Sequence, residues 1–215
     1  MKYNTILFDL DGTLLDTLVD LAESVNAMLA KEGYPERSME EIRSFLGSGA
    51  KMLIWSSLPE GTGEAEAERC LEVYRPIYKR NMNNHTRPYK GIMGLLEALK
   101  QRGVRMAVVS NKPDRPCVEL VQNLFRNYID VAVGDSDERP RKPDRAAVDE
   151  ALKRLGARTE DAIYVGDSEV DVQTARNAGL PCVCVTWGFR DREVFEEEGA
   201  EHIIDAPTEL LGIIG

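Results

Sequence analysis

The stretch Thr5 to Thr17, TILFDLDGTLLDT, constrains this chain more than any other. It begins as a short apolar run, Ile6 to Phe8, that with Thr5 is rich in strand formers, as suits a strand buried on both faces of a parallel sheet. Two carboxylates follow at Asp9 and Asp11, then Gly12 and Thr13. Gly12 permits a sharp turn and the close approach of a ligand. A buried strand that ends in two acids puts charge at the carboxyl rim of a sheet, where α/β folds bind ligands. Such acids can hold a hard divalent cation. One can attack phosphorus as a nucleophile while the other gives and takes a proton.

Past Thr17 the hydrophobic period becomes helical. Leu18, Leu21, Ala22, Val25, Met28 and Leu29 fall on one face. Gly33 reads as a stop, and Ser38 with Glu41 as a capping box. Helices are expected over 51–58 and from 64 to about 81, where Pro76 threatens a kink. Residues 18–84 therefore show no strand pattern. Beyond them strands at 104–109, 129–133, 162–165 and 181–186 alternate with helices at 91–102, 113–125, 144–155 and 169–178. That alternation implies an α/β class, a doubly wound parallel sheet with right-handed crossovers. The expected division is an α/β core over 1–16 and 85–215, with a helical domain, 17–84, inserted after the first strand. An insertion at that point would overhang the sheet's carboxyl edge as a lid.

Composition narrows the partners. A chain of 215 residues with a net charge of −10 is no whole-surface nucleic-acid binder. An acidic protein that binds phosphate must build a local positive patch from a metal, a lysine and backbone N–H groups. The four cysteines show no C-x-x-C spacing, and no apolar run reaches the ~18 residues of a membrane span. A cytoplasmic protein without a leader is expected, monomeric or homodimeric, with neither membrane nor nucleic acid as partner.

Three later segments could complete the site. Ser110 and Asn111 end the second strand, where a hydroxyl and a helix N-terminus can donate to phosphate oxygens. Lys142, in the basic loop 139–144, is the preferred lysine, with Lys112 and Arg141 as alternatives. Asp167 stands where the 162–165 strand stops, and Asp171 follows one helical turn later on the same face. Acids at Asp9 and Asp167 supply the oxygen ligands that Mg²⁺ prefers. His85 and His202 lack partners at ligand spacing and read as structural.

The segment from Asp9 to Thr17 resembles the first signature of the haloacid dehalogenase superfamily, D-x-D-G-T-L-x-D-T, and the later motifs follow that pattern too. The resemblance implies a Rossmann-like core with a small four-helix-bundle cap. Asp11 implies a phosphatase or phosphomutase, since a dehalogenase's leaving group needs no proton. It further implies Asp9 as nucleophile, Asp11 as acid and base, Ser110 and Lys142 as phosphate partners, and N–H groups of Leu10, Gly12 and Asn111 as donors. Mg²⁺ would be bound by Asp9, the Asp11 carbonyl and Asp167, with Asp171 behind them and Thr13 fixing the turn. The family often reads Lys-Pro-x-Pro where this chain has Lys142-Pro143-Asp144-Arg145. The loop around Gly47 and Gly49, with 86–91 and 185–188, resembles phosphoglycolate phosphatases. Arg43 and Lys51 are candidates for a substrate carboxylate. The implied function is hydrolysis of a small phosphorylated metabolite, 2-phosphoglycolate first. Other readings are a pyrophosphatase, a nucleotidase, a sugar-phosphate phosphatase or a phosphomutase, the last of which usually carries Glu at the position of Gly166. A receiver-type phospho-acceptor module uses similar groups but would lack the inserted helices.

Overall fold

The computed structural model describes residues 2–215, and the chain divides into two compact units. One comprises the residues up to Leu15 with Pro88–Gly215; the other is Asp16–Arg87. After β1 (Thr5–Phe8), the chain crosses between them at two short strands that pair with each other, β2 (Leu15–Asp16) and β3 (Arg87–Pro88). Nothing in the hydrophobic pattern announced these two-residue strands.

Between them lie α1 (Leu18–Glu32), α2 (Met39–Phe45), α3 (Ala50–Ser57) and α4 (Glu64–Asn81). Leu21, Ala22, Val25, Met28 and Leu29 of α1 are buried, and Gly33 ends the helix at φ 78°. Ser38 caps α2: its Oγ accepts from the Glu41 N–H at 3.2 Å, while its own N–H donates to the Glu41 carboxylate at 2.8 Å. Pro76 does not break α4. An internal proline costs about 3 kcal/mol, but α4 buries Leu71, Tyr74, Ile77 and Tyr78 and packs along α1. Gly47 and Gly49 both have positive φ, 109° and 85°, and Gly49 immediately precedes α3. Lys51 pairs with Glu64 at 3.1 Å and Glu68 at 3.0 Å, an exposed link from α3 to α4.

Asp20 stands out within this unit. It is wholly buried on α1, at a position that a helical wheel would leave polar and solvated. Its carboxylate accepts from the N–H of His85 at 2.9 Å, the N–H of Thr86 at 2.9 Å and the Thr86 hydroxyl at 2.8 Å. A charged acceptor thus ties the return segment to the first helix.

The rest of the chain is α5 (Ile92–Gln101), β4 (Arg105–Pro113), α6 (Asp114–Phe125), β5 (Val131–Asp135), α7 (Ala146–Leu155), β6 (Ala162–Gly166), α8 (Glu169–Ala178), β7 (Cys182–Val185), α9 (Arg192–Glu197), β8 (His202–Ile204) and α10 (Leu210–Ile213). The six-stranded sheet has the order β5-β4-β1-β6-β7-β8, with every pair parallel. Successive strand residues feed opposite layers, as the pleat requires. Ile6, Phe8, Met106, Val108, Ile163 and Val165 pack beneath α5, α6 and the C-terminal turns. Leu7, Ala107, Val109, Val133 and Tyr164 face α7 and α8.

Strand β4 continues through Ser110, Asn111 and Lys112 to Pro113, four residues beyond its expected end. Those residues are polar, so periodicity alone stops at Val109. Pairing of Pro113 with Asp135 keeps them extended after a shift in register. Consequently α6 begins at Asp114, with Pro113 just outside it. The start of α7 is likewise delayed to Ala146, because the Asp144 carboxylate takes the Ala146 N–H at 2.8 Å in a turn.

Asp20→Ala takes the shared acceptor from three partly buried donors, so it is expected to cost the helical unit about 2 kcal/mol. Asp20→Asn, which keeps one acceptor oxygen, should lose less. Urea unfolding followed by Trp55 fluorescence in a Trp187→Phe background reads this unit; an unchanged midpoint in Asp20→Ala would contradict the assignment.

Candidate active site

The chain winds outward from β1 to β4 and β5, then returns to β6 on β1's other side. The crevice outside the carboxyl ends of β1, β4 and β6 is therefore the switch point at which such sheets bind ligands. β1 pairs with both neighbours in register, Phe8 opposite Val108 and Val165. Asp9, Ser110 and Asp167 consequently emerge from adjacent strand ends. The Asp9 N–H still donates to the Val165 carbonyl at 2.9 Å, which fixes where its carboxylate begins.

Lys142 lies at the centre. Its ammonium is 2.8 Å from Asp171 Oδ1, 3.0 Å from Asp9 Oδ1 and 3.1 Å from the Tyr164 hydroxyl. Asn111 holds the backbone of Lys142 from both sides: its Oδ1 accepts from the Lys142 N–H at 2.9 Å, and its Nδ2 donates to the Lys142 carbonyl at 3.1 Å. Burial alone would push this lysine down, but the Asp171 and Asp9 carboxylates outweigh it and lift Lys142 well above its ordinary value. It is held as an ammonium. Tyr164 donates to the Val109 carbonyl at 3.1 Å, which orients its oxygen toward the lysine.

Asp167 is 1% exposed. Its Oδ1 accepts from the Thr13 hydroxyl at 2.9 Å and its Oδ2 from the Phe189 N–H at 2.8 Å. Thr13 is held in turn by Trp187, whose indole N–H donates to the Thr13 carbonyl at 3.0 Å. Asp171 has both oxygens engaged, one by Lys142 and the other by the Ser168 hydroxyl at 2.7 Å and the N–H groups of Asp167 and Ser168, each at 3.1 Å. Opposite this group, Lys112 reaches both oxygens of Asp11 at 2.8 Å, and the Lys112 N–H donates to the Ser110 hydroxyl at 3.2 Å.

Three glycines make room. A Cβ at Gly12, whose φ is 88°, would fall on the Asp167 carboxylate. One at Gly188 would meet Asp167 and the Gly12 carbonyl, and one at Gly166 would meet Asp171. No side chain other than hydrogen fits these positions.

The donor set suits a hard divalent cation. Carboxylate oxygens of Asp9, Asp167 and Asp171 lie within 4.8 Å of one another. Against these three acids stands the single ammonium of Lys142, a local excess of about two negative charges that a divalent ion would offset. Burial pushes the Asp9 carboxyl up to about 6, opposed by Lys142 and assisted by Asp171 and Asp11. Burial with the charges of Asp171 and Asp9 likewise holds Asp167 well above the ordinary range. Asp9 Oδ1 is buried without an aligned donor, the Lys142 ammonium lying off its hydrogen-bonding direction. Since Asp171 is already saturated, Asp9 and Asp167 are the acids with capacity to ligate.

The structure thus brings together Asp9, Asp167, Asp171, Lys142, Asn111 and Thr13, with Asp11 and Ser110 joined through Lys112. Arg43, Gly47, Gly49 and Lys51 belong to the helical unit, and Lys51 is engaged there by its two glutamates. Sequence reasoning passed over Tyr164, Ser168 and Phe189, and weighed Lys112 and Asn111 for other roles. Tyr164 looks like any apolar strand residue. Only its buried hydroxyl beside a lysine reveals a polar duty.

Residues 6–185 match the model of the haloacid dehalogenase-like hydrolases. Phosphoglycolate phosphatase 1 of Pseudomonas aeruginosa is 35% identical over 212 residues, covering 96% of this chain and 78% of that protein. The phosphoglycolate phosphatase of Rhodobacter capsulatus is 34% identical over 189 residues, 86% of this chain and 85% of that one. Among solved structures, a candidate phosphoglycolate phosphatase of Lactobacillus delbrueckii subsp. bulgaricus superposes with a TM-score of 0.94 at 35% identity, covering 100% of this chain and 99% of that one. CbbY of Rhodobacter sphaeroides, solved in complex with phosphate, gives 0.76 at 26% identity, with 97% and 96% covered.

A carboxyl that binds its proton more tightly folded than unfolded lowers stability as pH rises, for Asp9 between its ordinary 3.8 and about 6. A cation at the site removes that penalty. Thermal denaturation should therefore show a larger stabilisation by Mg²⁺ at pH 7.5 than at pH 5; equal shifts would count against a site built on these acids. Gly188→Ala, by crowding Asp167, should abolish the Mg²⁺ stabilisation while leaving a cooperative transition.

Proposed function

The chain belongs to the haloacid dehalogenase-like hydrolases and is a phosphatase, and from that premise we propose that it is a Mg²⁺-dependent hydrolase of a small phosphorylated hydroxy acid, 2-phosphoglycolate first. The observation that carries this reading is the buried Lys142 ammonium between Asp9 and Asp171, beside Asp167. Such a cluster is what a carboxylate nucleophile, a fixed positive charge and a hard-metal donor set sharing one crevice would require. Phosphoryl transfer is mainly a matter of positioning and electrostatic stabilisation.

In this reading Asp9, the Asp11 carbonyl and Asp167 would hold Mg²⁺, which would supply positive charge to offset that of the phosphoryl oxygens. Asp9 attacks phosphorus in line; the Asp9–phosphorus bond forms as the ester P–O bond breaks. Asp11 delivers a proton to the departing alkoxide. It then takes a proton from the water that attacks the aspartyl-phosphate, releasing inorganic phosphate and restoring Asp9. Lys142, the Ser110 hydroxyl and N–H groups over 10–12 neutralise and orient the remaining oxygens. Asn111 acts by clamping the Lys142 backbone, and Asp171 by aiming its ammonium. Glycine at 166, forced by the closeness of Asp171, fits a hydrolase better than a mutase of the same superfamily.

The substrate assignment rests on the two relatives named phosphoglycolate phosphatase, each at least 34% identical over most of this chain. The four cysteines are all free, as a reducing cytoplasm would keep them. No helix among the described residues is long and apolar enough to cross a membrane.

Asp9→Asn is expected to lower turnover of p-nitrophenyl phosphate by at least ~10⁴-fold, the scale on which covalent catalysis fails without its nucleophile, with the far-ultraviolet circular dichroism unchanged. Wild-type rates in that variant would remove Asp9 as nucleophile. In a screen of small phosphorylated metabolites, 2-phosphoglycolate should give the highest kcat/KM.

A further inference from the structure

Lys112 has no part in the chemistry just described, yet its ammonium is almost wholly enclosed and points at the acid that serves the leaving group. The residue is 5% exposed. Both Asp11 oxygens lie 2.8 Å from its Nζ. We infer that Lys112 is a specificity-determining residue that takes over the anionic group a substrate carries beside its ester oxygen. This rests on the reading above, in which Asp11 serves that oxygen.

The argument is one of charge and reach. A buried ammonium is costly unless a counter-charge accompanies it. In the structure Asp11 supplies that charge with both oxygens. To deliver a proton, at least one of them must turn from Lys112 toward the ester oxygen. Lys112 then has a donor directed at the region beside the leaving group. A carboxylate on the carbon that bears the ester oxygen lies two bonds from that oxygen, so it falls where the displaced Asp11 oxygen had been. The ammonium exchanges one carboxylate for another. A phosphoester whose alcohol is uncharged offers Lys112 no second carboxylate, so it binds more weakly by that one charge-assisted contact.

The neighbouring cation cannot substitute. Lys142 is committed to Asp9, Asp171 and Tyr164, and its backbone is clamped by Asn111. Lys112 is anchored on the far side of the site, on β4 beside Ser110, with its side chain directed at Asp11. One lysine thus serves the transferring phosphoryl group and the other the departing alcohol.

Two esters of equal chain length test this, 2-phosphoglycolate and ethyl phosphate, each competing with p-nitrophenyl phosphate in the presence of Mg²⁺. The wild-type protein is expected to bind the first roughly 10- to 100-fold more tightly, the worth of one charge-assisted contact. Lys112→Met should bring the ratio close to one, and Lys112→Arg should restore part of it. Where Lys112→Met turns over too slowly to read, calorimetric titration of the two esters in an Asp9→Asn background gives the same ratio. A ratio near one in the wild type, or the same ratio in Lys112→Met as in the wild type, would overturn the inference. The two proposals fail separately. Tight, Lys112-dependent binding of 2-phosphoglycolate without hydrolysis would sink the substrate assignment alone. Its hydrolysis without any dependence of the ratio on Lys112 would sink this inference alone.

Discussion

The ammonium of Lys142 is the charge on which the site depends. Three carboxylates converge within a few ångströms of one another under the rim of the sheet, and bringing them out of water is unfavourable. Lys142 makes the convergence tolerable by contacting two of them, and it can do so only because its own position is fixed. Asn111 grips its backbone, Tyr164 and Asp171 aim its side chain, and Ser168 with two backbone N–H groups holds Asp171. The chain of constraint runs from a strand end, through a side-chain clamp, to one nitrogen beside Asp9.

That arrangement leaves the site short of positive charge, which suits it to a divalent cation. A cluster in balance would gain little from a cation. This one retains acids whose proton affinity is raised by burial. A divalent ion bound here would compete with protons for the same oxygens. The glycines at 12, 166 and 188 belong to the same economy of space. Each lies so near Asp167 or Asp171 that any Cβ would displace a carboxylate. They keep the acids close, where strand ends alone would leave room for larger side chains.

The helical unit shows how buried charge can also serve architecture. Asp20 is as enclosed as Asp167 and Asp171, but its carboxylate is spent on three donors from the residues that lead back to the sheet. Lys51, by contrast, forms exposed pairs of the kind that contribute little to stability. Burial and hydrogen bonding separate the two cases. Net charge and residue type do not.

Much of this was legible in the sequence because it is local. The apolar run before Asp9 requires a buried strand, Gly33 ends a helix, and Ser38 with Glu41 caps one. Strand–helix alternation requires a parallel sheet with its acids at one rim. The identities of the acids, and so a chemistry of metal and phosphate, also follow from residues near one another in the chain. What only the tertiary structure decided is partnership across distance. Lys112 meets Asp11 and Asn111 meets Lys142 because β1 and β4 are neighbours in register and the loop after β5 folds back over them. The extension of β4 through three polar residues came from the same source, a partner strand with which to pair. Hydrophobic period reports which face of an element is buried. It carries no record of which polar side chain from another strand will share that burial, because that choice is made by the sheet order and the electrostatic cost of leaving a charge alone.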